Sequence, residues 1–126
     1  MIRTLLGMIV TVGLICPGPA PNAAEGATLY ATFCAGCHGQ GVETLGPYPG
    51  LFGNTSIRNG GALYVAYKGL QGAGNMFPLC AHATDEDMAR IASYVASANG
   101  SLVAPLAAQE VAGLRPPPGD CLPEPS

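Results

Sequence analysis

The chain has 126 residues, with five Lys/Arg against eight Asp/Glu and a formal net charge of −3, which leaves room for one small domain. Only 10% of its residues are charged and the balance is acidic, so nucleic acid is excluded as a partner. It has no Ser/His/Asp set and no glycine-rich phosphate loop, which removes the common hydrolase and nucleotide-binding chemistries.

Residues 1–24 read as an export signal. Arg3 supplies the positive start, and residues 5–15 are apolar apart from small residues and Thr11. Pro17, Gly18, Pro19 and Ala20 end the run. It falls short of the roughly 20 apolar residues that span a bilayer but has the length of a signal-peptide core. Cleavage is expected between Ala20 and Glu25, with Ala24 as the last residue removed. Cys16 follows Gly13, Leu14 and Ile15, a poor lipoprotein signal, and is expected to leave with the leader. The mature chain then carries four basic and eight acidic side chains, a net of −4. The expected location is the periplasm, with no stable membrane insertion after cleavage.

In the mature chain, residues 26–33 predict a helix in which Leu29, Tyr30 and Phe33 share a face. Residues 39–60 are rich in Gly, Pro and Asn and predict an irregular loop. Residues 61–70 predict a second helix, after which Gly69, Gly72 and Gly74 interrupt regular structure up to Met76. The clearest helix starts at Thr84, an N-cap followed by Asp85, Glu86 and Asp87 at the positive end of the helix dipole. Met88, Ile91, Ala92, Tyr94 and Val95 give it an apolar face, and Asn99-Gly100 ends it. Residues 101–126 form a proline-rich C-terminal extension, in which residues 106–114 are compatible with one more helix and the rest with an extended tail. The domain proper is then 25–100.

Residues 34–38 read Cys-Ala-Gly-Cys-His, the pattern of covalent c-type haem attachment. Cys34 and Cys37 lie one helical turn apart, so both sulfurs can reach the vinyl groups along one porphyrin edge. His38 then projects toward the ring centre, where a neutral imidazole binds iron. Three other uses compete for these residues. A thioredoxin-like redox pair expects a βαβ context, which does not follow here. Half a zinc site would need two further ligands, and Cys80, His82 and Cys121 form neither a second Cys-x-x-Cys nor a His pair. A plain disulfide between the two thiols is the third.

Over residues 25–100 the chain resembles class I cytochromes c. In that family a glycine and an aromatic residue precede the first haem cysteine by eight and four positions, matching Gly26 and Tyr30. The resemblance implies an all-α cytochrome c fold, about four short helices wrapped around a single covalent haem c. It implies that Gly26 lets the first helix cross the last one closely, against Ile91 and Tyr94. It also matches Tyr48-Pro49-Gly50-Leu51 to a Pro-x-Leu segment whose carbonyl accepts the hydrogen bond of the proximal histidine, with Pro47 as the alternative. The distal ligand is expected from a loop ahead of the last helix. Met76, eight residues before Thr84, fits that place, and His82 is the rival. Phe77 stands between Met76 and Pro78 where the family has the proline directly after its ligand. The stretches 48–56 and 69–72 are similar to small cytochromes, or cytochrome domains, that serve periplasmic dehydrogenases.

Cys80 and Cys121 remain once the leader and the haem motif take theirs, and a disulfide is the simplest fate of such a pair in an oxidising compartment. Two unpaired thiols are the alternative. The bridge would tie the extension to the methionine loop and draw it partly across the haem face.

The function these residues imply is that of a monohaem one-electron carrier, six-coordinate through His38 and Met76, and not of an enzyme. Its partners would be redox proteins: a periplasmic dehydrogenase as donor, an oxidase or another cytochrome as acceptor. Two alternatives stay open. One is an electron-transfer subunit docked permanently on a dehydrogenase; the other is a gas-binding or sensing haem protein with a weak distal ligand.

Overall fold

The computed structural model describes residues 23–41, 48–72, 74, 76–102 and 105–121, together with Gly13. The rest of the expected leader, Pro47 and residues 122–126 lie outside the described residues. The described residues are helical, with no strand: α1 (Ala23–Phe33), α2 (Ala35–His38), α3 (Thr55–Gln71), a 3₁₀ turn at Leu79–Ala81, α4 (Asp85–Ala98), α5 (Ala108–Ala112) and a second 3₁₀ turn at Pro118–Cys121. Among them, no helix is long and apolar enough to cross a membrane.

α4 is the hub and packs against α1, α3 and α5. Its start follows from sequence chemistry: the Thr84 hydroxyl accepts from Asp87 N–H at 3.1 Å, and the Asp87 carboxylate accepts from Thr84 N–H at 3.5 Å. Such a reciprocal cap is worth about 1 kcal/mol. Met88, Ile91 and Val95 are no more than 1% exposed, and with Tyr30, Leu70 and Val111 they form the closed centre of the core. Burying each large aliphatic side chain contributes roughly 1.5–3 kcal/mol, so this one face outweighs the caps.

α1 crosses α4 at Gly26. A Cβ at that position would stand 2.6 Å from the Arg90 carbonyl oxygen and 2.7 Å from Tyr94 Cβ, so only glycine permits the approach. Tyr30, one turn on, lies with its ring centroid 5.2 Å from Phe52 and 5.9 Å from Tyr94. Its hydroxyl donates to the Gly39 carbonyl at 2.5 Å. Burial, with Cys34 and Tyr94 adding to it, pushes the Tyr30 phenol up to about 12, so it stays a neutral donor. The Glu25–Arg90 ion pair across the same crossing, at 3.1 Å, is exposed and contributes little.

Two readings of the sequence need correction. The middle helix is not confined to residues 61–70 but begins at Thr55, where Asn54 caps it by accepting from Ile57 N–H at 3.2 Å. The backbone breaks helical geometry at Gly61 (φ 67°), and the two glycines at 60 and 61 are what made the first segment read as loop. The extension beyond residue 114 is not simply extended. Pro118–Cys121 makes a 3₁₀ turn that sets Cys121 beside Cys80, their Cα atoms 5.5 Å apart, within the usual range for a disulfide. Arg115 reinforces the attachment by donating to the carbonyls of Cys80 at 2.7 Å and Ala83 at 2.5 Å, and by pairing with Asp85.

Candidate haem site

α1 runs almost straight into the motif. Cys34 N–H donates to the Tyr30 carbonyl at 2.8 Å and His38 N–H to the Cys34 carbonyl at 2.9 Å, so helical spacing is kept across the bend at Cys34. Cys34 and His38 are buried and Cys37 is exposed. All three open on a cleft of about 550 Å³, within the range of small-molecule and cofactor sites. Pro49 and Met76 stand on the same cleft, and Leu51, Val65 and Leu79 give it apolar walls. The five residues singled out from the sequence thus come together at one place. His82 does not: it is exposed, outside the cleft lining, with its ring edge-on to Phe77. Met88 also lines the cleft, at its buried floor, its methyl carbon 3.0 Å from where a Cβ at position 69 would be.

The hydrogen bond at His38 fixes its chemistry. Nδ1 lies 2.7 Å from the Pro49 carbonyl oxygen, which can only accept, so Nδ1 carries the proton. Nε2 is then the bare nitrogen, the form in which imidazole binds a metal. The Met76 loop is held from its start. Gly72 has φ 71°, and a Cβ there would stand 2.5 Å from the Met76 carbonyl oxygen, so the chain can turn back at this point only through glycine.

The competing uses of the cysteines fit poorly. Burial pushes the Cys34 thiol up to about 11, with Cys37 adding to the rise. That disfavours Cys34 as the attacking thiol of an exchange pair, which works through a thiolate stabilised below its ordinary value. Among the described residues, no group of three or more His, Cys, Asp or Glu is placed to hold a metal ion by itself. An apolar cleft offering two thiols, an oriented imidazole and a thioether does fit a haem macrocycle.

The described part of the extension is not drawn across this cleft. None of its described residues lines the opening, because Val111 and Arg115 hold it against α4 and the Cys80–Asp85 segment instead. Sequence reasoning also missed the Asn54–Asn99 pair. Asn99 was read as a helix stop, yet its carboxamide is buried: Oδ1 accepts from Asn54 N–H at 2.7 Å, and Nδ2 donates to the carbonyls of Leu51 at 2.6 Å and Val95 at 2.8 Å. The only available signal was an amide side chain at the end of the helix with the clearest apolar face.

A helical chain whose Cys-x-x-Cys-His turn opens on an apolar cleft has the arrangement of class I c-type cytochromes, and comparison with known proteins agrees. The family model described as "Cytochrome C oxidase, cbb3-type, subunit III" matches residues 21–95. Cytochrome c-554(547) of Halothiobacillus neapolitanus is 34% identical over 89 residues, covering 62% of this chain and 98% of the relative. The chain belongs to this family of c-type cytochromes. It is a haem-binding electron-transfer protein, with other redox proteins as the class of partner.

Proposed function

We propose that the protein is a periplasmic one-electron carrier with a single haem c, bound through Cys34 and Cys37 and ligated by His38 and Met76. The observation that carries this reading is the His38–Pro49 hydrogen bond at the mouth of a cleft shared with both cysteines and Met76. Haem c, when bound, supplies a reversible one-electron couple. The chain does the rest. Cys34 and Cys37 anchor the group, and Pro49 keeps His38 in the ligating tautomer and strengthens it as a donor. Met76 would supply its thioether as the second iron ligand, a donor that favours reduced iron. Leu51, Val65 and Leu79 exclude water, so little solvent reorganises when the electron arrives. With His38 and Met76 both committed to iron, no iron position would be left for a substrate.

The test is covalent and stoichiometric. Protein exported with its leader intact should keep one haem per chain after denaturation, and Cys34→Ser with Cys37→Ser should keep none. Haem lost from the denatured wild-type chain would overturn the reading.

In the oxidising compartment we propose for it, the Cys80–Cys121 pair is a closed disulfide. Mass spectrometry without reduction should find neither thiol alkylatable. Cys121→Ser should lower stability by about 4 kcal/mol, the chain-entropy value for a loop of this size. Alkylation at both positions would rule the bridge out.

A second reading is favoured by one observation: the description of the matched family names an oxidase subunit. The protein would then be an electron-transfer subunit held in a larger redox complex. Co-purification with a larger membrane or periplasmic oxidoreductase would favour it, and a monodisperse monomer from native extract would remove it.

A further inference from the structure

We infer that Asn99 is a positioning residue for the iron site, acting on His38 from the far end of α4 through the segment that carries Pro49. The inference rests on His38 being the proximal ligand, as proposed above. The physical path is short. Pro49 is exposed and its carbonyl accepts from His38 Nδ1. The residues that follow it, 50–54, tie it to the helical core.

This segment is fastened by two asparagines. Asn54 Nδ2 donates to the Gly50 carbonyl at 3.2 Å, while Asn54 Oδ1 caps α3. Asn99 joins this turn to α4 by accepting from Asn54 N–H and donating to the Leu51 carbonyl. Only one orientation of the Asn99 carboxamide meets all three partners, since Asn54 offers an N–H and Leu51 and Val95 offer carbonyls. The side chain is buried, so water cannot stand in for it without opening the core. An apolar replacement leaves the Asn54 N–H and Leu51 carbonyl without partners, and the segment gains freedom to move away from His38. The expected consequence is electronic as well as structural. A looser Pro49 carbonyl weakens the donor strength of the imidazole, stabilises ferric iron less, and shifts the reduction potential upward.

The test compares two holoprotein variants that both lose buried contacts. Asn99→Leu has nearly the native volume and no hydrogen bonds. Val111→Ala leaves a cavity under α5, away from the cleft lining. In Asn99→Leu the hyperfine-shifted His38 Nδ1–H proton should exchange with solvent roughly tenfold faster, and the potential should rise. In Val111→Ala both should stay at wild-type values despite lower thermal stability. If Asn99→Leu gives no holoprotein, Asn99→Asp carries the test, since it keeps the acceptor for Asn54 and loses the donor to Leu51. Its exchange should be faster than wild type as well. Wild-type exchange and potential in a folded Asn99 variant would overturn the inference, as would equal shifts in Val111→Ala. If the unsubstituted protein shows no hyperfine-shifted imidazole N–H, His38 ligation fails, and this inference with it. That result is recognisable because it precedes any substitution.

Discussion

In the Met76→Ala variant the thioether-to-iron absorption toward the red end of the visible spectrum is expected to vanish, and the reduced protein should bind carbon monoxide stoichiometrically where the parent refuses it. The reduction potential should fall, because the lost thioether favoured reduced iron. Met76 lines the cleft, and the turn that delivers it depends on Gly72. An unchanged low-spin spectrum would refute methionine ligation and promote His82, and a Met76→Ala/His82→Ala double variant would confirm the exchange. His82 starts from a poor position. It is exposed and outside the cleft lining, and it follows a 3₁₀ turn whose Cys80 and Ala83 carbonyls are held by Arg115. Bringing it to the iron would require those bonds to break. Carbon monoxide binding by the parent protein at neutral pH would revive the gas-sensing reading instead.

Gly26→Ala should destabilise the holoprotein even though alanine is the better helix former. The exchange gains about 1 kcal/mol in helix propensity. Against this, a methyl group 2.6 Å from a backbone oxygen and 2.7 Å from Tyr94 Cβ cannot be absorbed by a side-chain rotation. α1 and α4 must separate, at a cost of about 3 kcal/mol or more. The net expectation is a loss of about 2 kcal/mol, or a midpoint lower by roughly 10 °C for a domain of this size. Thermal melting of the ferric protein decides it, and a midpoint equal to or above wild type would show that the crossing tolerates a Cβ. Because α1 leads directly into Cys34, haem incorporation should fall as well.

Much of the site was legible in the sequence because its chemistry is local. Cys34, Cys37 and His38 lie within one turn of chain, so residue spacing already implies geometry. Thr84 was readable for the same reason, its cap set by near neighbours, whereas Gly26 and Tyr30 were read through the resemblance to class I cytochromes c. The sequence was misleading where glycines hid a helix. Residues 55–60 read as loop because Gly60 and Gly61 depress helix propensity, while the cap that nucleates them, Asn54, was one polar residue among several. It misled again in the extension. Prolines forbid a long helix there, but they do not forbid burial of Val111 or the clasp of Arg115 on the Cys80–Asp85 segment.

The sequence by itself pointed to a haem and to the thiols and imidazole we propose hold it, and it determined on which face α4 is buried, since all of these rest on spacings of a few residues. Only the tertiary structure decided that Pro49 meets His38, that Met76 and not His82 shares the cleft, that the described part of the extension stays off the cleft lining, and that Asn99 fastens the segment after Pro49 from 45 residues beyond Asn54. Those relations join segments far apart in the chain. Their hydrogen-bonding groups have many nearby partners open to them on paper, and only the packing of α4 against α1 and α3 selects among them.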